Sequence, residues 1–340
     1  MVTQKDISAA CGLSVSAVSK ALSDYPDISE DTKRRVRDVA EKMGYHGMKS
    51  EINRKREHTY TMGLLITEET ERSEYQDVIK ELRNTLVKKG YDLVLLSPLR
   101  KGGGNREKPG YLPRARLYGM EGVFLFTSLQ ESDLYHHKDG RNLRELILGE
   151  IPVVAVGSFW ASCSCVLPGY EKGIRGLIRE VYMKGHRRIA FVFKERTAVD
   201  AQWYKAIRME LEEHYLRVPE YFFLRVEAEA DGGSEAFSEI RDLLRGSRWL
   251  RPTCILFTDE TLLEGGAAAI RQCGFRVPED ICLAAIRISE EHKYEDDSVL
   301  SWRILPAEIA EAAVEQMFDS MKGSLHGAGR IRMVDGKLYE

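Results

Sequence analysis

Val15, Ser16 and Lys20 stand in the run SVSAVSKAL, Ser14 to Leu22, and their types suit contact with nucleic-acid base edges. Lysine donates to guanine O6 and N7, serine to several base edges, and valine packs on a thymine methyl. On a helix, the offsets i, i+1, i+4 and i+5 place Val15, Ser16, Ser19 and Lys20 on one small, polar face. Val18, Ala21 and Leu22 turn to an apolar one. Ser14 is placed to cap the helix by accepting a backbone N–H, and Leu13 and Val18 occupy the positions of a hydrophobic staple.

Such a face needs a scaffold behind it. Upstream, Thr3 and Asp6 sit at a weak capping-box spacing, and Ile7, Ala10 and Cys11 give an apolar side before Gly12. Downstream, after the turn SDYPD, Ser29 caps a third helix with Glu30 and Asp31 at its positive end; Val36, Val39, Ala40 and Met43 recur at helical spacing up to Gly44. Three short helices bury one small core and leave the second facing outward, the arrangement of a helix-turn-helix that reads the major groove.

Composition bounds the rest. The chain has 340 residues and a net charge of −3, so it has no general attraction to nucleic acid and any such affinity is local. Residues 1–60 hold 11 Lys/Arg against 9 Asp/Glu, a surplus of +2 that leaves −5 for the remainder. No stretch approaches the roughly 20 apolar residues of a membrane span, and MVTQKDIS lacks a signal-peptide core, so a cytoplasmic protein without membrane partners is expected. Cys11, Cys163, Cys165, Cys254, Cys273 and Cys282 lie mostly in apolar runs, as reduced buried thiols do. The Cys163-x-Cys165 pair lacks a second ligand pair at zinc spacing and reads as structural. No Ser-His-Asp set, paired metal ligands or phosphate loop stands out; Gly102 to Gly104 lack the strand-to-helix context, and His186 reads as a turn residue. No enzyme activity and no cofactor are expected.

The run from Val2 to Tyr45, VTQKDISAACGLSVSAVSKALSDYPDISEDTKRRVRDVAEKMGY, resembles nearly throughout the DNA-binding headpiece of the lactose-repressor/galactose-repressor family of bacterial transcription regulators. By that resemblance Val15 and Ser16 match the base-reading pair and Lys20 the major-groove Arg/Lys position. Thr3, Ser14, Ser19, Ser29, Thr32 and Tyr45 match phosphate-bonding positions, which fix register without reading sequence. Residues 1–46 are then the headpiece and 47–60, polar and basic, a linker. In the family this segment folds on operator DNA and wedges a leucine into the minor groove. Here Arg54, beside Asn53, takes the leucine's place: a guanidinium enters a narrow minor groove but is a poor wedge.

From residue 61 the sequence alternates strands and helices. Apolar strands are expected at Met62–Ile66, Tyr91–Leu96, Gly122–Phe126, Pro152–Val156, Arg188–Phe193, Tyr221–Leu224, Cys254–Phe257 and Ile281–Ile286. Helical periodicity runs between them, and two successive α/β series imply two lobes. The segment KGHRRIA is a second match to the same family, whose core is similar to periplasmic sugar-binding proteins. The expected fold is therefore an all-α headpiece on a two-lobed α/β core with parallel sheets. Lobe 1 covers about 61–158 and 290–320, and lobe 2 about 159–289 and 321–340. No heptad run follows Gly329, so the expectation is a homodimer without a coiled-coil tetramer.

Lobes of this type hold a ligand beyond the strand ends, and the resemblance points to Asp200, Asp259, Glu260 and Arg287 as cleft positions. Asp200 stands where sugar-binding members have Arg, Asp259-Glu260 where they have Asn-Asp, Arg287-Ile288 where they have Asp-Asp, and Pro168 where they have Asp. These changes argue against an ordinary sugar, because unmatched buried polar groups are costly. Asp200, Asp259 and Glu260 suit a cationic or hydroxylated effector, with Trp160 and Trp203 to stack on it. The whole reading is a dimeric DNA-binding regulator, a repressor under effector control. Its alternatives are a regulator whose cleft is vestigial and whose co-regulator is a protein, and a solute-sensing or enzymatic α/β protein.

Overall fold

The structure is a computed structural model that describes residues 4–22, 28–43, 58–67, 75–96, 109–127, 129, 134, 136–137, 139–194, 198–226, 232–246, 251–289, 299–322 and 329–339. It divides into two units, Met1–Thr59 and Tyr60–Glu340.

In the first unit, α1 (Gln4–Cys11), α2 (Val15–Leu22) and α3 (Glu30–Lys42) pack on each other. Gly12 turns the chain between α1 and α2 at φ +64°, a conformation that costs a side-chain-bearing residue. Ser8 Oγ donates to the Leu13 carbonyl at 2.5 Å, and Arg35 Nη2 donates to the carbonyl of Cys11 at 2.7 Å, tying the third helix to the end of the first. Ile7, Cys11, Val18, Ala21, Val36 and Ala40 form the core, with Leu13, Leu22 and Val39 packed against it.

The second unit contains two six-stranded sheets. Its elements are β1 (Thr61–Ile66), α4 (Gln76–Lys88), β2 (Asp92–Leu96), α5 (Tyr111–Leu117), β3 (Gly122–Phe126), α6 (Gly140–Ile147), β4 (Val153–Val156) and β5 (Ser164–Pro168). There follow α7 (Tyr170–Met183), β6 (Ile189–Lys194), α8 (Ala198–Glu213), β7 (Phe223–Val226), α9 (Gly232–Arg245), β8 (Cys254–Phe257), α10 (Glu260–Gln272) and β9 (Cys282–Ile288). The last are β10 (Val299–Ile304), α11 (Pro306–Met321), β11 (Ile331–Val334) and β12 (Lys337–Tyr339). The first sheet runs β11-β5-β4-β3-β1-β2 and the second β12-β10-β9-β8-β6-β7. Every pairing is parallel except β10 with β12. Parallel strands flanked by helices are buried on both faces, which is why β3, β4 and β8, and β9 up to Arg287, read as continuous apolar runs.

The chain crosses between lobes three times, and here the expected lobe boundaries are corrected. β5, expected in lobe 2, pairs with β4 of the first sheet, Ala155 opposite Cys165. β10, expected in lobe 1, pairs with β9 of the second, Trp302 opposite Ile286. Of the two last strands, β11 lies in the first sheet and β12 in the second. The crossings thus fall between β5 and α7, between β10 and α11, and between β11 and β12. α11 packs on α4 and on strands β3 to β5, so it belongs to lobe 1 as expected from the late return of the chain. Pro306 starts it at a position where the missing N–H costs nothing. The misread strands are short: SCVLP is broken by polar Ser164 and by Pro168, and carries no period-2 signal.

Candidate nucleic-acid interface and ligand cleft

In the headpiece, α2 separates its faces sharply. Val18 and Ala21 are fully buried, whereas Val15 is 42% exposed although apolar, with Ser16 exposed beside it. Ser19 and Lys20 are half-buried on the same side. Ser14 Oγ accepts the Ala17 amide at 3.1 Å, fixing where the helix begins. Ser29 Oγ accepts the Thr32 amide at 3.3 Å and shares a hydrogen bond with Thr32 Oγ1 at 2.9 Å. In α3, Lys33 is buried along its stem and pairs with Glu30 at 2.7 Å, and Arg34 pairs with Asp31 at 2.5 Å. Thr3, Tyr45, Asn53 and Arg54 lie outside the described residues, as does the linker apart from its last three positions.

The cleft residues separate into distinct groups. Asp259 caps α10, its Oδ1 accepting the Leu262 amide at 2.9 Å, while Oδ2 pairs with Lys194 at the end of β6 at 2.8 Å. Glu260, one residue on, pairs instead with Arg287: Oε1 accepts from Nη2 at 2.8 Å and from Nε at 3.2 Å. Arg287 is 3% exposed. Each carboxylate has therefore taken a cation of the same lobe.

The aromatic expectation needs correction. Trp160 is 1% exposed in the core of lobe 1, and its indole N–H donates to Ser158 Oγ at 3.1 Å. Its large apolar surface is buried in that core, so it offers no stacking face to a ligand. Trp203 is 7% exposed and packs on Tyr170, with ring centroids 4.5 Å apart. Tyr170 bonds through its hydroxyl to that of Tyr75 at 3.1 Å, linking the N-terminal ends of α7 and α4 across the two lobes. Asp200 lies in α8, and its side chain is outside the description.

Sequence reasoning missed Tyr75, Tyr170, Lys194, Ser289, and the pair Thr67 and Thr127, whose hydroxyls meet at 3.2 Å. One signal would have found most of them: Thr67, Thr127, Lys194 and Ser289 each end, or directly follow, a strand at its C-terminal edge, where open parallel sheets present ligand groups. Ser289 Oγ and Trp203 Nε1 are buried with no hydrogen-bond partner among the described residues.

His186 and the cysteines have structural surroundings. His186 Nδ1 lies 3.1 Å from Thr253 Oγ1, and its pKa is pushed below the usual histidine range by burial, with Arg187 and Lys184 adding to the shift. Cys165 Sγ receives the Trp160 amide at 3.1 Å, and all six thiols are unlinked. Among the described residues no group of three or more His, Cys, Asp or Glu is placed to hold a metal ion, and no helix is long and apolar enough to cross a membrane.

An outward helix on a three-helix core, followed in the chain by a two-lobed parallel α/β body, defines the class: a helix-turn-helix headpiece carried with a periplasmic-binding-protein-like core. Residues 3–47 match the family model described as bacterial regulatory proteins, lacI family, and residues 178–340 match the periplasmic binding protein-like domain. The chain thus carries a lacI-family helix-turn-helix domain and a periplasmic-binding-protein-like domain. It is 24% identical over 283 residues to the transcriptional repressor PurR of Pectobacterium carotovorum subsp. carotovorum (strain PC1), covering 83% of this chain and 79% of that one. It is 22% identical over 344 residues to the transcriptional repressor CytR of Escherichia coli (strain K12), covering 99% and 94%. Among solved structures, the Lac repressor dimer bound to operator and the anti-inducer ONPF aligns with a TM-score of 0.63 at 13% identity, covering 100% of this chain and 98% of that one. The transcriptional regulator CelR with cellobiose aligns at 0.64 and 17%, covering 100% and 99%. These structural likenesses carry the fold.

Proposed function

We propose that the protein is a sequence-specific transcription repressor that binds a pseudo-palindromic operator as a homodimer in the bacterial cytoplasm, by binding and not by catalysis. The observation that carries this reading is the exposure of Val15 and Ser16 on a helix whose opposite side is fully buried. An apolar side chain left outward on a small domain gains by burial elsewhere, and a thymine methyl is such a place. Val15, Ser16 and Lys20 read bases. Ser14, Ser19, Ser29 and Thr32 bond phosphates with Thr3 and Tyr45: the Ser14 cap bond uses a lone pair and leaves the hydroxyl proton to donate. Asn53 and Arg54 contact the minor groove electrostatically.

The cleft accepts a small effector that is not a simple sugar. Glu260 pairs with Arg287 and Asp259 with Lys194, so a charged ligand would have to compete with an ion pair already made. The groups that favour binding are the Trp203 N–H and the Ser289 hydroxyl, which suit an uncharged, hydrogen-bonding molecule. The same mutual pairing favours a second reading, a regulator controlled by a protein partner whose cleft is closed on itself.

The test is selection of bound duplexes from a random library by the full-length chain at two salt concentrations. The expected result is an enriched two-fold symmetric site, bound more weakly as salt rises through counterion release. Sequence-blind binding under both conditions, with and without candidate effectors, would overturn the reading. A thermal-shift screen separates the two cleft readings: stabilisation by an uncharged small molecule supports the effector, and none alongside retained DNA binding supports the protein partner.

A further inference from the structure

Three arginines line one cavity at the end of lobe 2 remote from the cleft. Arg241 and Arg245 stand one turn apart near the C-terminal end of α9, and Arg251 lies three residues before β8. With Gln272, Cys273 and Phe275 they enclose a space of about 470 Å³. Arg251 precedes β8 and Asp259 follows it, so this cavity and the cleft lie at opposite edges of the sheet.

The charge there is unbalanced. One carboxylate, Asp242, serves both Arg241, at 3.1 Å, and Arg245, at 3.8 Å. Arg251 lies with its guanidinium carbon 5.2 Å from the centroid of Phe275, and Nη2 donates to the Gly246 carbonyl at 3.2 Å. Its Nε is buried and has no partner among the described residues. Arginine near a helix C-terminus complements the helix dipole, which suffices for Arg245. It does not account for Arg251, which is on no helix and whose buried Nε has no acceptor among the described residues, a costly arrangement.

We propose that this cavity binds a phosphate-bearing small molecule as a second effector, independent of the cleft. Guanidinium forks match phosphate oxygens two at a time, and an anion at this place supplies the acceptor that Arg251 Nε lacks. The volume is that of a small-molecule site and far below that of a duplex. Phe275 and Cys273 give an apolar wall for the organic part of the ligand.

The test is thermal unfolding of the DNA-free full-length chain against sodium pyrophosphate, and against adenosine monophosphate beside adenosine, at ionic strength matched with sodium chloride. A saturable rise in Tm with pyrophosphate and with the nucleotide, absent with the nucleoside, is expected. The rise is lost in the double variant Arg241→Gln/Arg245→Gln, which replaces one half-buried and one exposed side chain. Arg251→Lys keeps the charge and removes the Nε donor, weakening binding on the order of tenfold, as loss of one charged hydrogen bond does. The rise persists in Lys20→Ala, which disarms the headpiece. Absence of a saturable rise, its survival in the double arginine variant, or its loss in Lys20→Ala would each overturn the proposal; the last would place the anion on the headpiece.

Discussion

Lys20 shares its face of α2 with Ser16 and carries the long donor of that face. A good base-edge contact discriminates by about 1 to 3 kcal/mol, so Lys20→Ala should lose that much operator affinity and relax preference at one position per half-site. Equilibrium titration of the selected duplex and of its single-base variants reads both effects; an unchanged profile removes Lys20 from base reading. His186 makes a different prediction. Its pKa in the folded chain is lowered, so the unfolded chain binds the proton more readily. The stability that this histidine contributes is therefore complete above about pH 6.5, its unfolded value, and is lost as pH falls from there through the lower folded pKa. His186→Asn, which retains a polar group beside Thr253, should flatten the Tm of the core against pH in that window. An acid limb identical to the parent's would show that other groups set it.

At the scale of elements, the headpiece rests on very few side chains. Among the described residues six buried apolar side chains make its core, and Ile7 is the largest of them. Ile7→Ala should cost about 2 to 5 kcal/mol, a large share of what so small a unit holds. DNA binding should disappear while the thermal transition of residues 60–340 stays in place. Loss of both would mean that the two units fold as one. In lobe 2, Glu260→Gln should destabilise by about 1.5 to 3 kcal/mol because it removes the carboxylate charge set against Arg287, and Glu260→Leu with Arg287→Met should recover most of it. Chemical denaturation of Glu260→Leu, of Arg287→Met and of the double variant gives the coupling, and additive losses would deny the pair. The three headpiece helices were legible because caps, Gly12 and a 3.6-residue period agree over a short span. The strands from β1 to β9 were legible as apolar runs, apart from β5. β5, β10 and β11 were assigned to the wrong lobes because strand pairing is a long-range choice that a five-residue segment does not encode locally. In the cleft, Asp259 and Glu260 were pointed to by the resemblance alone. Their partners Lys194 and Arg287 could be matched to them only once β6, β8 and β9 lay side by side. Trp160 was misread because a tryptophan that follows a strand looks the same in sequence whether it turns into the core or toward a ligand.

For the whole molecule, three crossings join two lobes that share one continuous core, with Tyr75 and Tyr170 bonded across them. Such a body can take up two closures, and a ligand that binds one better shifts the population between them. An effector then acts only through its difference in affinity for the two closures, and operator DNA acts back on the effector by the same factor. At this scale the central claim is that specificity resides in the outward face of α2. The measurement that tests it most directly is a repeat of the duplex selection with Val15→Thr and Ser16→Asn in the full-length chain. The account predicts a site with the same two-fold symmetry and half-site spacing but different bases at one or two positions in each half, with the salt dependence of affinity unchanged. Selection of the parent's sequence by the altered chain would contradict it, because the bases would then be read by some other part of the protein.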